Sequence, residues 1–227
     1  MPAIIQLSNI DRHFQVGDQT VKALDKINLT IEQGGYMAVM GPSGSGKSTL
    51  LNLLGLLDRP TGGQYRLNDH ETTTLSDEQQ ASIRREQIGF VFQFFHLVPR
   101  LTARENIELP MLLAGIDPDE RHQRANKVLA DYSIVDRAGH RPDQLSGCQR
   151  QRGAIARATV MQPQLILADE PTGNLDRANG HDVMEIIEQL NRDGITLIMV
   201  THDPELGARA HEQIRIVDGQ IAEHLRR

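Results

Sequence analysis

A glycine-rich stretch of the chain reads Gly41-Pro42-Ser43-Gly44-Ser45-Gly46-Lys47-Ser48. An apolar run of strand type precedes it at 37–40, and a leucine-rich run of helix type follows it at 49–54. Glycines let the backbone curl so that several N–H groups point at one anion, and the following helix adds its own free N–H groups. Lys47 can then reach the terminal phosphates, and the Ser48 hydroxyl can bind Mg²⁺. The stretch therefore predicts a P-loop that binds the phosphates of a nucleotide.

The bulk composition is that of an ordinary globular protein of 227 residues. The net charge of -6 and the pI near 5.8 argue against a dedicated nucleic-acid-binding protein, which is usually basic. Cys148 is the single cysteine, so an internal disulfide and a cysteine-based metal cluster are excluded. No secretory signal is visible, and no stretch approaches the roughly 20 apolar residues of a membrane span. We therefore expect any role at a membrane to depend on a partner.

The order of the hydrophobic patterns predicts an α/β fold. Residues 4–14 and 21–31 are rich in β-forming residues on either side of a glycine turn, which predicts an antiparallel hairpin. Apolar runs at 88–92, 165–168 and 195–200 are typical of buried parallel strands.

The region between the runs at 88–92 and 165–168 differs from them, because its patterns from 102 to 159 are mostly helical. We therefore predict a single nucleotide-binding domain over 3–227. Its mostly parallel core, with an antiparallel part at the N-terminus, would cover about 3–93 and 161–227. An inserted helical subdomain would cover about 94–160.

Polar side chains follow several predicted strands at their carboxyl ends, where ligands bind in α/β sheets. Asp169 and Glu170 end an apolar strand, and P-loop enzymes use such acids to hold Mg²⁺ and to orient or deprotonate the attacking water. His202 follows another strand and can donate a hydrogen bond to a phosphate oxygen. Taken alone, Gln93 is more typical of an exposed loop, and Phe14, which could stack on a base, of a partly buried strand.

The chain resembles the ATP-binding subunits of ABC transporters over essentially its full length. The P-loop is similar to the family's Walker A motif, and 165–170 is similar to its Walker B motif with the catalytic glutamate. Residues 145–149, Leu-Ser-Gly-Cys-Gln, resemble the family signature, and 174–176 resemble the D-loop. Gln93 stands at the position of the Q-loop glutamine, and His202 at that of the switch histidine.

The resemblance implies ATP and Mg²⁺ as ligands and assigns roles to individual side chains. The implied catalytic residues are Lys47, Glu170 and His202. The implied magnesium site consists of Ser48, Gln93 and Asp169. The residues implied to contact ATP, beginning with the adenine-stacking aromatic, are Phe14, Gly41, Ser43, Gly44, Ser45, Gly46, Lys47, Ser48, Thr49, Gln93, Ser146, Gly147, Cys148 and Asp176.

The resemblance also implies an assembly. Two copies pack head to tail, with each ATP between the Walker A loop of one copy and the signature of the other. Dimer closure assembles the site, and hydrolysis releases it. The partner is an integral membrane permease, which places this chain as a peripheral protein on the cytoplasmic face of the inner membrane.

Within the family, three stretches (55–61, 90–93 and 108–110) resemble the lipoprotein-release and macrolide-export group. We therefore expect ATP hydrolysis to drive extrusion, or mechanical work outside the inner membrane.

Three positions depart from the family's pattern. Cys148 replaces the second glycine of the signature, Gly35 replaces the usual Glu, and Gly153 replaces the usual Val. A side chain at 148 would clash if the backbone there requires glycine or touches the phosphate, at a cost on the order of 1–3 kcal/mol. Gly153 inside a helix costs roughly 1 kcal/mol against alanine. One hypothesis is that this chain binds ATP and hydrolyses it poorly; the other is that a small shift accommodates Cys148.

Two other classes of protein compete with the exporter ATPase. A soluble ABC ATPase that acts on nucleic acid or ribosomes usually carries two such domains or large insertions, whereas this chain has one set of motifs and no basic tract. A small-molecule kinase would use the P-loop but would leave the signature, Gln93 and His202 without a role. The sequence therefore favours an exporter ATPase with no nucleic-acid partner.

Overall fold

The computed structural model describes residues 2–226. The strands are β1 (Ala3–Val16), β2 (Gln19–Glu32), β3 (Tyr36–Met40), β4 (Gly62–Leu67), β5 (His70–Glu71), β6 (Ile88–Phe92), β7 (Leu165–Asp169), β8 (Thr196–Val200), β9 (Glu212–Val217) and β10 (Gln220–Arg226). The α-helices are α1 (Lys47–Leu54), α2 (Asp77–Gln87), α3 (Ala103–Leu113), α4 (Pro118–Asp131), α5 (Gly147–Thr159), α6 (Arg177–Arg192) and α7 (Pro204–Gly207). Short 3-10 turns cover Val135–Arg137 and Pro142–Gln144. Arg227, the last residue of the predicted domain, lies outside the described residues.

The chain divides into two compact units. One consists of the residues up to Arg84 together with those from Gly194 onward, and the other is Arg85–Asp193. Helices α3, α4 and α5 all belong to the second unit, as do β6 and β7. The boundaries of the predicted helical subdomain, about 94–160, stay a prediction. Among the described residues, no helix is both long enough and apolar enough to cross a membrane.

The first unit begins with a long antiparallel hairpin of β1 and β2. Val16 pairs with Gln19, so Gly17, at φ +60°, and Asp18 make the turn. Strand β4 pairs with the other edge of β1, and β5 pairs with β4, which gives the order β2-β1-β4-β5. The antiparallel part that the sequence predicts at the N-terminus is confirmed.

Strand β3 is central to the parallel strands of the first unit. It runs parallel to β8 on one side and to β9 on the other, and β9 pairs with antiparallel β10. Residues 36–39 and the whole of β8 are buried, as expected of parallel strands that are covered on both faces. Strand β3 therefore leads directly into the glycine-rich stretch, at the edge where β8 also ends.

The second unit contains the parallel pair β6 and β7. The last pair of their register joins Phe92 to Asp169. Helix α5 packs on β6, where a Cβ atom on Gly89 would lie 2.5 Å from the carbonyl oxygen of Ala158. This glycine lets the helix approach the strand closely. The predicted α/β class, with mostly parallel strands in its core, is confirmed.

Candidate functional site

The glycine-rich stretch forms a tight loop between β3 and α1. Gly41, Gly44 and Gly46 have φ values of +144°, +77° and +107°, which residues with a Cβ atom rarely adopt. A Cβ atom would lie 2.1 Å from the carbonyl oxygen of Ile216 at the first position, and 2.3 Å from that of Ala23 at the third. At Gly44 a Cβ atom would meet nothing within 4 Å, so only its backbone conformation favours glycine there.

The loop leaves the N-terminus of α1 open. Gly46 is the N-cap residue and contributes no side-chain hydrogen bond, so the first N–H groups of the helix have no cap. The Lys47 ammonium group crosses the loop, and its Nζ donates to the carbonyl oxygens of Gly41 at 2.9 Å and Pro42 at 2.7 Å. Uncapped N–H groups at the positive end of a helix, beside a lysine, are suited to bind an anion.

A pocket of about 370 Å³ opens beside this loop. The predicted residues that line it are Gly44, Gly46, Lys47, Ser48 and Thr49. Gly41, Ser43 and Ser45 belong to the loop but do not line the pocket. The Ser45 hydroxyl is buried, and no hydrogen-bond partner for it lies within the described part of the chain.

The rest of the pocket wall comes from segments that the sequence analysis did not connect with phosphate binding. Val21, Lys22 and Ala23 of β2 form one part, and Asp218 and Gly219, the turn between β9 and β10, form another. The N–H of Gly219 donates to the carbonyl oxygen of Ser45 at 3.0 Å, which attaches this turn to the loop. An Asp-Gly turn is visible in the sequence, but its contact with a loop so distant along the chain is not.

Phe14 lies on the hairpin near the pocket but does not itself line it. Its cross-strand partner is Val21, which is a wall residue, so the two side chains share one face of the hairpin. The ring is 38% exposed, and the guanidinium carbon of Arg12 lies 4.3 Å from its centroid. One face of the ring is therefore covered by a cation.

A group of potential metal ligands occurs elsewhere on the hairpin. One ligand atom each of Asp11, His13 and Asp25 lies within 4.8 Å of the others. Both carboxylates are already engaged, because Asp11 accepts from the N–H of Lys26 and Asp25 from the side chain of Gln220. The Gln220 hydrogen bond is also the main reason that the pKa of Asp25 is lowered. These contacts brace the irregular part of the hairpin, and we assign no ligand to the group.

His202 follows β8 at the same edge of the first unit as the P-loop. The N–H of Thr201 donates to the carbonyl oxygen of Val39 at 3.2 Å, so β8 and β3 are still joined one residue before the histidine. The His202 side chain is exposed. Asp203 caps α7 by accepting from the N–H of Glu205 at 2.8 Å, which fixes the turn after the histidine.

In the second unit, Gln93 and Glu170 each follow directly after the last paired residues of β6 and β7. Asp169 and Glu170 are partly buried. Glu170 has φ +45°, a left-handed conformation that is costly for a residue with a side chain. The N–H of Gly173 donates to the carbonyl oxygen of Glu170 at 3.0 Å and closes a tight turn after the acidic pair.

The same turn holds the Gln93 segment. A Cβ atom on Gly173 would lie 2.6 Å from Nε2 of Gln93, so the absence of a side chain makes room for this glutamine. The side-chain amide of Asn174 donates to the Gln93 carbonyl oxygen at 2.9 Å. The structure thus brings Gln93 together with the turn that follows Glu170.

Asp176 ends this turn and caps α6. Its carboxylate accepts from the N–H groups of Ala178 and Asn179, each at 3.1 Å. Hydrogen bonds from Asn179, chiefly from its side chain, lower the pKa of Asp176. The carboxylate is therefore engaged within its own helix.

The signature-like segment forms the start of α5. Ser146 is the N-cap residue: its hydroxyl accepts from the N–H of Gln149 at 3.2 Å, while the Gln149 side chain accepts from the N–H of Ser146 at 3.0 Å. Gly147 and Cys148 are the first two residues of the helix, and neither has a positive φ. The backbone objection to Cys148 is therefore removed, because a cysteine adopts this conformation without strain.

The other two departures from the family's pattern differ from each other. Gly153 is buried in α5, and a Cβ atom there would meet only Cδ1 of Leu97, at 3.7 Å. A Cβ atom on Gly35 would lie 3.0 Å from the carbonyl oxygen of Glu32, which is a tight contact. The fold therefore has room for a larger residue at 153 and little room at 35.

The chain is similar in sequence to a protein family and to named relatives. A family model described as ABC transporter matches residues 24–173. The chain is 50% identical over 217 residues to the macrolide export ATP-binding/permease protein MacB of Rhodopseudomonas palustris (strain HaA2), covering 96% of this chain and 33% of that protein. It is 47% identical over 218 residues to the uncharacterized ABC transporter ATP-binding protein YknY of Bacillus subtilis (strain 168), covering 96% of this chain and 95% of that protein. The chain thus spans about a third of the length of that MacB and nearly all of YknY.

The fold is similar to solved structures of the ATP-binding cassette MJ0796. One is described as a dimer in a post-hydrolysis state bound to ADP and Pi; its TM-score is 0.91 and its identity 41%, and the match covers 98% of each chain. The other is described as a dimeric bacterial ABC transporter cassette, with a TM-score of 0.91, 42% identity and 98% of each chain covered.

Proposed function

Because the chain belongs to the ABC transporter family and is an ATP-hydrolysing subunit of that family, we propose that it is the motor of an exporter and drives a separate membrane permease. The observation that carries this proposal is the phosphate cradle, in which the helix N-terminus is open to an anion and Gly41 and Gly46 leave no room for side chains. Its similarity to a macrolide-export protein that combines ATP-binding and permease parts supports an export role.

At the P-loop, we propose that the uncapped N–H groups of α1 donate to the phosphates of ATP. The Lys47 ammonium group exchanges its two carbonyl partners for phosphate oxygens, which gives a stronger, charge-assisted hydrogen bond. The nearby β2 residues and the turn at Asp218 and Gly219 enclose the nucleotide. The adenine stacks on the face of Phe14 that Arg12 leaves uncovered.

The residues that would hold Mg²⁺ are Ser48, Asp169 and Gln93. They supply hydroxyl, carboxylate and amide oxygens, the hard ligands that Mg²⁺ prefers, so the donor set fits the ion. When bound, Mg²⁺ neutralises charge on the terminal phosphates. Glu170 orients or deprotonates the attacking water, and His202 donates a hydrogen bond to a phosphate oxygen.

We propose that two copies act head to tail, which the dimeric descriptions of the MJ0796 structures support. Ser146, Gly147 and Cys148 of one copy then face the terminal phosphate of the ATP held by the other, with Asp176 nearby. The start of α5 offers N–H groups and a positive helix end to that phosphate. The permease would hold the dimer at the cytoplasmic face of the membrane.

The test is ATP binding and hydrolysis by the purified chain, alone and together with its membrane subunit. Lys47→Ala is expected to lower hydrolysis by about 100-fold or more through the loss of phosphate stabilisation. Glu170→Gln is expected to lower hydrolysis by about 100-fold and to keep ATP binding. Lys127→Ala, which removes an exposed lysine of α4, is the control and should be unchanged. Hydrolysis at the unaltered rate by both site variants, or failure of the chain to copurify with a membrane subunit, would contradict the proposal.

A further inference from the structure

Gln151 is a fully buried glutamine in the middle of α5. Its Nε2 donates to two main-chain carbonyl oxygens, that of Phe92 at 3.2 Å and that of Pro171 at 2.5 Å. Because both neighbours can only accept, the NH₂ end of the amide must face them, which fixes the orientation of the side chain.

The two carbonyl groups adjoin two residues of the proposed active site. Phe92 immediately precedes Gln93, and Pro171 immediately follows Glu170. The register of β6 and β7 ends with the pair Phe92 and Asp169. Beyond that pair the strand ladder no longer joins the two segments, and the side-chain amides of Gln151 and Asn174 link them instead.

The segment after β7 needs such support. Glu170 has φ +45°, and strained backbone of this kind persists only where the surroundings hold it. One hold is the hydrogen bond from the N–H of Gly173 to the Glu170 carbonyl oxygen. A second is the hydrogen bond from Gln151 to the carbonyl oxygen of Pro171, the next residue.

The other end of the Gln151 amide argues against a role in packing alone. Its Oε1 is buried, and no donor among the described residues reaches it. An unsatisfied buried acceptor is unfavourable, so the filling of space is not by itself a reason for an amide at this position. The donor end is thus the useful part of this side chain.

We infer that Gln151 is a positioning residue, which sets the main chain beside Glu170 and beside Gln93 from the helix that begins with Ser146, Gly147 and Cys148. A displacement of α5 on contact with the second copy's ATP would then move both segments through one amide group. The inference rests on the proposed roles of Glu170 in catalysis and of Gln93 in holding Mg²⁺.

The test is Gln151→Met, which keeps the length and apolar packing of the side chain and removes both donors. We expect kcat for ATP hydrolysis to fall by about tenfold to 100-fold through misplacement of Glu170, with KM for ATP changed less than about twofold. We expect amide hydrogen exchange at 170–174 to become at least about tenfold faster, while exchange at 98–102 stays unchanged. Thermal unfolding should remain cooperative with a lowered midpoint, because the carbonyl oxygens of Phe92 and Pro171 lose this donor.

The matched control is Asn106→Leu in the same unit. Asn106 is also fully buried, and its side-chain amide donates to the carbonyl oxygens of Val98, Leu101 and Thr102. This variant should lose stability and gain exchange at 98–102, with kcat within about twofold of the unaltered chain.

The inference is overturned if Gln151→Met is folded and keeps both the kcat and the exchange at 170–174 of the unaltered chain. If that variant does not fold, Gln151→Asn keeps the amide but is one methylene too short to reach both carbonyls. An unaltered kcat in Gln151→Asn overturns the inference equally. Glu170→Gln is measured beside them, since full activity in that variant would refute the proposed role of Glu170 and not the hydrogen bonds of Gln151.

Discussion

Helix α1 begins directly after the glycine-rich loop and helix α5 begins with Gly147, yet their N-termini are capped differently. At α1 the N-cap residue is Gly46, in a left-handed conformation and without a side chain to accept from the helix. At α5 the N-cap residue is Ser146, whose hydroxyl and whose partner Gln149 complete a capping box. The first N-terminus therefore has no side-chain cap, whereas at the second the protein's own side chains satisfy the N–H groups of Ser146 and Gln149.

The P-loop and helix α5 also differ in how strictly the fold requires glycine. Carbonyl oxygens of the protein itself lie where Cβ atoms on Gly41 and Gly46 would be. In α5, by contrast, Cys148 carries a side chain without strain, and Gly153 has space beside it. The fold of the chain thus imposes glycine at Gly41 and Gly46 of the P-loop, whereas at position 148 only a ligand or a second copy could require it.

The largest expected effect comes from Gly46→Ala. The substitution combines a φ of +107° with a Cβ atom 2.3 Å from the Ala23 carbonyl oxygen, so both strain and overlap oppose it. We expect a loss of about 3 kcal/mol in the free energy of unfolding. ATP binding at the distorted loop should be lost as well. Urea unfolding and equilibrium ATP binding measure the two effects.

Gly115→Ala is the matched control for this substitution. Gly115 has φ +72°, but a Cβ atom there would meet nothing within 4 Å, so only the backbone strain of about 1 kcal/mol applies. The difference between the two variants therefore isolates the overlap with Ala23. Equal losses of stability, with ATP binding intact in both, would show that the loop relaxes freely and that the contrast with α5 is mistaken.

A smaller effect, of opposite sign, is expected in α5. Gly153→Ala replaces a glycine in a helix interior and places its Cβ atom 3.7 Å from Leu97, an ordinary contact. The free energy of unfolding should rise by about 1 kcal/mol, which raises the midpoint of thermal unfolding by about 2–4 °C. ATP hydrolysis should stay within about twofold of the unaltered rate.

Gly89→Ala on the neighbouring strand β6 is the comparison for Gly153→Ala, because position 89 has no space for a side chain. A Cβ atom there would lie 2.5 Å from the Ala158 carbonyl oxygen of α5. This variant should be destabilised. If Gly153→Ala were destabilised as well, the space beside α5 would not be available, and the helix would be as restrictive as the P-loop.

The sequence predicted the parts of the molecule that depend on local pattern. Alternating and continuous apolar runs predicted the hairpin and the parallel strands, because the side-chain period and the burial of a strand depend on residues that are neighbours in the sequence. The glycine spacing and its strand and helix flanks likewise placed the P-loop. These elements appear in the structure where the patterns predict them.

The parts that were missed depend on contacts between residues far apart in the chain. The turn at Asp218 and Gly219 lines the phosphate pocket and is held there by a hydrogen bond to Ser45. No local sequence pattern predicts this contact. The link from Gln151 to Phe92 and Pro171 is equally long-range. The hypothesis that position 148 needs a backbone conformation open only to glycine came from the family's pattern. That pattern does not distinguish a glycine required by the fold from one required by a ligand.

Cys148→Gly addresses that question and carries the smallest expected effect. Because the cysteine lies in unstrained helix and the capping box is complete, the chain's own fold should gain nothing from glycine. We expect the rate of ATP hydrolysis to change less than about threefold, which corresponds to about 0.7 kcal/mol in the activation free energy. The rate of the Lys47→Ala variant serves as the baseline for both chains. A gain of about tenfold or more would mean that the phosphate or the second copy requires a bare backbone at this position. The chain would then be a hydrolysis-impaired member of its family, and the glycine of the signature would serve the ligand rather than the helix that carries it.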